Sequence, residues 1–167
     1  MSRTIPLLPL TEEAFAPFGE IIAKRAEPSF PINGGMCDRH HALAVMDLLG
    51  EGARGIISIG HGRPYPEPLE IGLVERHPLG SQAWIPLHDR PFAVVAAPDE
   101  GGRPGTPVAF LTAPRQGVNY RAGVWHAPLR PLGAAGDFLI VDRDGPGENL
   151  EEYTYDSPWI VTTDPAG

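Results

Sequence analysis

From Gly55 onward the chain is interrupted so often that no long helix can be placed in it, and this punctuation restricts the fold more than any other feature. Short apolar or alternating runs recur roughly every ten residues. They are Ile56 to Ile59, Leu69 to His77, Gln82 to Leu87, Phe92 to Ala97, Val108 to Leu111, Val118 to His126 and Phe138 to Val141. Gly, Pro and Asp bound them, and the chain holds 20 glycines and 20 prolines with no Gly-X-Y period. Such a pattern predicts a mainly β domain, a sandwich or barrel built from short strands. Disorder is the competing reading of so much Gly and Pro, but 42% hydrophobic residues grouped in runs argue against it.

Before Gly55 the signals are helical. Thr11 can cap a short helix reaching Phe18, with Glu12 and Glu13 in its first turn and Gly19 as a stop. A second helix is predicted over Asp38 to Leu49, where Leu43, Met46, Leu48 and Leu49 cluster at helical spacing before Gly50. The stretch from Asp99 to Thr106 is a surface loop, and the tail after Asp156 is expected to be irregular. At 167 residues one domain spanning 1–167 is expected, large enough to bury a core unaided.

Strand parity gathers the chemistry-bearing residues. Side chains two apart share a face, so Leu69, Ile71, Leu73, Glu75 and His77 are expected on one face of their strand. Gln82 and Trp84 share a face on the next, and Tyr120, Ala122, Val124 and His126 on a later one. If these faces all point inward, Glu75, His77, Gln82, Tyr120 and His126 meet at the mouth of a barrel.

The spacings there resemble those of cupins. Glu75-x-His77-x4-Gln82 occupies the place of the first cupin motif and Gly123-x-x-His126 that of the second. Glu75 stands where cupins usually carry His, and Gln82 where they usually carry Glu. Longer strings are more specific. ERHPLGSQAWIPL (Glu75 to Leu87) and QGVNYRAGVWHAPL (Gln116 to Leu129) resemble the two signature segments of the ureidoglycolate lyase family, also called ureidoglycolate hydrolase. The segments Leu10 to Ile22, Asn33 to Ala44 and Phe138 to Gly145 agree in order. The loop from Gly60 to Pro68 and the tail depart from the family pattern, a departure expected to touch little chemistry. The resemblance implies a cupin-like (jelly-roll) β-barrel with one or two short N-terminal helices. It also implies cleavage of ureidoglycolate to glyoxylate and urea in allantoin breakdown, a homodimer, and Ni2+ as a possible metal.

Ureidoglycolate is a hemiaminal whose central carbon bears a hydroxyl, a carboxylate and the urea nitrogen. Its collapse needs a base for the hydroxyl proton, an acid for the departing nitrogen and a cation or donor for the carboxylate. No redox cofactor or covalent intermediate is required, so a metal-free reaction is the favoured expectation. His126 and His77 are the proton carriers by residue type, against the bland reading of two satisfied rim histidines. Glu75 can be a base, a metal ligand or an orienter of His77, or simply a solvated strand-end carboxylate. Gln82 both donates and accepts and can read a ureido group, or it can be packing. If a metal is present, Glu75, His77, Gln82 and His126 are its ligands.

Arg39, Arg76 and Arg121 are the carboxylate-clamp candidates, since a guanidinium grips a carboxylate through two bonds. Parity turns Arg76 and Arg121 away from the pocket, which leaves Arg39 first. Asn33, His41, Tyr120 and Trp125 lie in the family-like strings and are candidate lining residues, although an aromatic is more often core. His40, His61 and His88 carry no support beyond residue type.

A formal net charge of −8 with Lys24 as the sole lysine sets nucleic acid aside as a partner. No apolar run approaches the roughly 18 residues of a membrane span. The N-terminal apolar stretch is too short and too proline-broken for a secretion signal. Cys37 is the only cysteine, so no intrachain disulfide forms. A cytoplasmic protein is the expectation. Two other function classes remain at this point: a metal-dependent cupin enzyme of another kind, which metal analysis would reveal, and a non-catalytic cupin binding a small carboxylate, which a turnover assay would reveal.

Overall fold

A computed structural model describes residues 3–162. The first elements are β1 (Arg3–Pro9), α1 (Glu12–Phe15), β2 (Gly19–Ile22), β3 (Phe30–Ile32), a 3-10 turn (Asn33–Gly35), β4 (Cys37–Arg39) and β5 (Arg54–Gly62). Then come β6 (Glu70–Arg76), β7 (Gln82–Pro86), β8 (Phe92–Ala97), β9 (Val108–Leu111) and β10 (Gly117–Tyr120). The rest are β11 (Trp125–His126), β12 (Arg130–Pro131), β13 (Gly136–Asp144) and β14 (Glu151–Thr162). The mainly β, cupin-like expectation holds. Among the described residues no helix is long and apolar enough to cross a membrane.

One sheet runs in the order β11-β6-β14-β1-β9-β8-β12, and β11 pairs with β8 as well as with β6. That extra pairing closes six strands into a barrel. A second sheet, β2-β10-β7-β13-β5, lies against it. β8 is buried on both faces, which its unbroken FAVVAA run anticipates. Ala93, Val95 and Ala97 join one core cluster with Ile5, Ile71 and Trp125. Phe92, Val94 and Ala96 join the other with Phe15, Phe110, Val118, Tyr120 and Phe138, filling the space between the sheets. Phe15, Phe92, Phe110 and Phe138 are each at most 2% exposed, and each such ring contributes about 2–3 kcal/mol of burial.

Three expectations are corrected. The helix over Asp38 to Leu49 does not form. Its backbone is satisfied by other segments instead: β4 pairs with β3, Ser81 N donates to Asp47 O (3.1 Å), and Leu49 N donates to Leu79 O (2.9 Å). Ala42 within it takes a φ of 48°, which no right-handed helix permits. The tail after Asp156 is not irregular as far as Thr162, where β14 ends after lying parallel to β1; the last five positions fall outside the described residues. The N-terminal helix is shorter than expected. Thr11 Oγ1 does cap it, accepting from Ala14 N at 3.2 Å. Gly19 opens β2 rather than ending the helix, and a Cβ there would lie 1.7 Å from Asn119 O.

Candidate active site

The barrel closes at the residues of interest. β11 supplies His126, whose direct partner across the ladder is Glu75 on β6. Directly opposed residues share a face, and Glu75 Oε1 lies 3.7 Å from His126 Nε2. His77, just past the end of β6, brings its Nε2 to 3.8 Å from the same oxygen. One ligand atom from each of the three residues falls within 4.8 Å of the others. The His126 ring stacks on Tyr120 at 4.1 Å and 13°.

The reason for this convergence differs in part from simple alternation. Leu69 and Ile71 pack in the same cluster as Val74, so they face away from Glu75 rather than with it. β6 loses its alternation between Ile71 and Val74, opposite the stretch where β14 carries extra residues between Thr154 and Trp159. Val118 to His126 is likewise two strands, not one. Gly123, at φ 77°, turns the chain from β10 in one sheet to β11 in the other. Its N–H donates to His77 O at 2.8 Å, tying the His126 turn to His77.

Hydrogen bonds settle which nitrogens carry protons. His77 Nδ1 lies 2.8 Å from Asn149 O and His126 Nδ1 lies 2.9 Å from Val124 O. A carbonyl oxygen only accepts, so each Nδ1 carries the proton and each Nε2 presents a bare lone pair. Trp84 Nε1 donates to Gln82 Oε1 at 2.8 Å, and Gln82 Nε2 faces Asp142 Oδ2 at 3.4 Å. That orientation aims Gln82 Oε1 at His126 Nε2, 3.3 Å away, so two acceptors face each other. Acceptors from Glu75, His77 and His126 therefore lie together, with Gln82 Oε1 beside that of His126.

Electrostatics follow from burial. His126 is 1% exposed, and desolvation drives its pKa down to about 3, against the supporting bond to Val124. Glu75 is pushed above the usual carboxylate range, first by burial and further by Glu152, its partner on β14, while His77 opposes the shift. Tyr120 is held a phenol by burial and by the Glu75 charge. The set also fits a divalent cation. His77 Nε2 is buried with no hydrogen-bond partner, and imidazole plus carboxylate suit Ni, Fe or Zn.

A cavity of about 500 Å3 opens over Glu75, lined by Arg63, Tyr65, Pro66, Trp84 and Leu129 among others. The Gly60 to Pro68 loop, expected to lie apart from the chemistry, is thus one of its walls. Arg130 also went unnoticed in the sequence. It is 4% exposed, with its guanidinium 3.7 Å from the centre of the Tyr65 ring. Asn149 and Asp142, which orient His77 and Gln82, were missed as well. Arg130 and Asn149 lie outside the family-like segments, and Asp142 lies within Phe138 to Gly145 without any spacing that singles it out.

Other candidates fall elsewhere. Asn33, Arg39 and His41 are exposed on or beside the β3–β4 hairpin, outside the cluster. Asn33 sits in its turn at φ 53°, and His41 rests on Phe30 at 5.3 Å. Trp125 turns the opposite way from His126, as strand neighbours must. Its indole joins the barrel core and donates to Asp99 Oδ1 at 2.9 Å. Arg76 and Arg121 point away from the pocket, paired with Glu151 and Glu20 respectively.

The chain resembles known proteins over nearly its whole length. A family profile described as "Ureidoglycolate lyase" matches residues 2–162. The ureidoglycolate lyase of Agrobacterium fabrum is 52% identical over 161 residues, covering 96% of this chain and 97% of its own. That of Chelativorans sp. is 54% identical over 159 residues, 95% and 96% of the two chains. That of Mesorhizobium japonicum is 54% identical over 153 residues, 92% and 94%. A solved dTDP sugar isomerase from Desulfovibrio desulfuricans is 15% identical, covering 84% of this chain and 87% of its own at a TM-score of 0.45, too distant to bear on the site. With half of all positions shared from end to end, the chain belongs to the ureidoglycolate lyase family.

Proposed function

We propose that this chain cleaves ureidoglycolate into glyoxylate and urea, as a carbon–nitrogen lyase of the amidine-lyase class acting in allantoin breakdown. The observation that carries the reading is the meeting of two bare imidazole nitrogens and one half-buried carboxyl that lines an open cavity. His77 Nε2 takes the hydroxyl proton as the C=O bond forms. The C–N bond breaks, and the protonated Glu75 carboxyl delivers its proton to the urea nitrogen. His77 then returns its proton to Glu75, 3.8 Å away. The raised pKa of Glu75 suits it to donate. His126, too buried to hold a proton readily, presents with Gln82 Oε1 acceptors for the ureido N–H groups and leaves the proton traffic to the other two.

The convergence of acceptors supports a second reading, in which Glu75, His77, Gln82 and His126 hold a divalent cation such as Ni2+. The cation would supply polarisation of the substrate oxygen, and these side chains would then be ligands rather than proton carriers. A homodimer is also part of the proposal. Ile57 and Ile59, on one face of the edge strand β5, are 73% and 67% exposed, an apolar strip a second copy would cover.

The test is product analysis with pure, urease-free protein. Equal amounts of glyoxylate and urea with no ammonia are expected, and ammonia rising in step with glyoxylate would refute the assignment. Activity that survives EDTA supports proton transfer by the side chains. Activity lost to EDTA and restored by one divalent ion supports the cation.

A further inference from the structure

The site as described acts on the substrate's hydroxyl and nitrogen, and the arginine on its cavity wall, Arg63, is solvent-exposed rather than buried against the cluster. Each arginine singled out in the sequence is occupied or distant. Arg39 is exposed on the hairpin. Arg76 donates to Glu151 at 2.6 Å and Asp99 at 2.9 Å, and Arg121 donates to Glu20 at 2.8 Å and Ala16 O at 2.9 Å.

Arg130 differs on every count. It is 4% exposed, and its Nε and Nη1 are buried without a protein partner. Its guanidinium lies 3.7 Å from the centre of the Tyr65 ring, within stacking range. Tyr65 lines the cavity over Glu75 and also the adjoining cavity onto which Arg130 opens, so the two spaces share the Tyr65 wall. The Arg130 charge reaches that far, since it lowers the pKa of both Glu75 and Tyr120 against their upward shifts. Buried donors left unpaired are unfavourable, and more so on a charged group. A planar carboxylate satisfies them best, through parallel charge-assisted bonds.

We propose that Arg130, held in plane by the Tyr65 ring, binds the carboxylate of the substrate while Glu75, His77 and His126 act on the neighbouring hydroxyl and nitrogen. The identity of that carboxylate rests on the ureidoglycolate reading, whereas the binding of a small carboxylate at Arg130 does not. The loop carrying Tyr65 thereby becomes part of the recognition surface.

The experiment titrates glyoxylate calorimetrically into the parent protein, Arg130→Gln, Arg130→Lys and Tyr65→Ala, with steady-state kinetics on ureidoglycolate alongside. Arg130→Gln is expected to raise the glyoxylate dissociation constant roughly 30-fold or more. Arg130→Lys keeps the charge but loses the fork, and it is expected to recover only part of that loss. Tyr65→Ala is expected to weaken glyoxylate several-fold, roughly what a lost stacking contact is worth. KM should rise with these losses and kcat should change less. A folded Arg130→Gln that binds glyoxylate within about twofold of the parent overturns the proposal, as does a parent protein that binds none. Should Arg130→Gln fail to fold, Tyr65→Ala decides, because the exposed loop position does not hold the core. Unchanged glyoxylate affinity there also overturns the proposal. Glyoxylate binding through Arg130 without ureidoglycolate turnover would sink the function and leave the clamp standing.

Discussion

His126→Ala separates chemistry from packing more cleanly than any other change at this site. The imidazole is 1% exposed and stacked on Tyr120 at 4.1 Å. Its Nε2 faces Gln82 Oε1 at 3.3 Å and Glu75 Oε1 at 3.7 Å. Truncation leaves a cavity beneath Tyr120, at a cost of about 2–4 kcal/mol by analogy with other buried large-to-small changes. In a domain of this size that lowers the melting temperature by roughly 5–15 °C. Activity should fall further than stability implies. Loss of a preorganised hydrogen-bonding group at the substrate costs roughly 10²-fold in turnover, about 2.7 kcal/mol of transition-state stabilisation. His88→Ala is the control. That ring meets Phe138 edge-on at 5.0 Å, so its removal costs packing without touching the cluster. The assay is glyoxylate release, measured well below each variant's melting temperature. If His126→Ala is folded and keeps kcat within about threefold of the parent, or if His88→Ala loses as much, the ring is only packing and the site assignment is wrong.

Protonation should show in stability. The ordinary histidine pKa of 6.5 is lowered to about 3 at His126, so below about pH 6.5 the unfolded chain binds a proton there that the folded chain refuses. Its contribution is complete above that pH and is lost as pH falls toward 3. Urea melts of the metal-free protein between pH 7.5 and pH 5 should therefore show a steeper stability loss for the parent than for His126→Gln, and equal slopes would contradict the burial argument. Gly123→Ala tests the turn between the two sheets. Nothing lies within 4 Å of the added methyl, but φ is 77°, so strain alone should cost about 1–2 kcal/mol and lower activity by displacing His126. An unchanged melting temperature and kcat would show that the turn's geometry is not what positions the histidine.

The sequence by itself determined the fold class and the heart of the site. Punctuated β runs such as Phe92 to Ala97 carry their structure locally, because alternation and Gly, Pro or Asp boundaries act over a few residues. Glu75 and His77 were legible because two residues along a strand restore the same face, and the family-like strings placed Gln82 and His126 with them. What the sequence did not determine depends on partners far along the chain. The Asp38 to Leu49 segment has helical spacing, yet its backbone bonds are taken by Leu79 and Ser81. The tail forms β14 because β1 and β6 offer it edges. Leu69 and Ile71 turn away from Glu75 where β6 loses its alternation beside the extra residues of β14, which pattern alone does not anticipate. Arginine choice shows the limit most plainly. Arg39, in a family-like string, proved exposed, whereas Arg130 became buried beside Tyr65. Burial of a charge is a property of what closes over it, and only the packed barrel decides which of twelve chemically identical guanidinium groups are taken out of water.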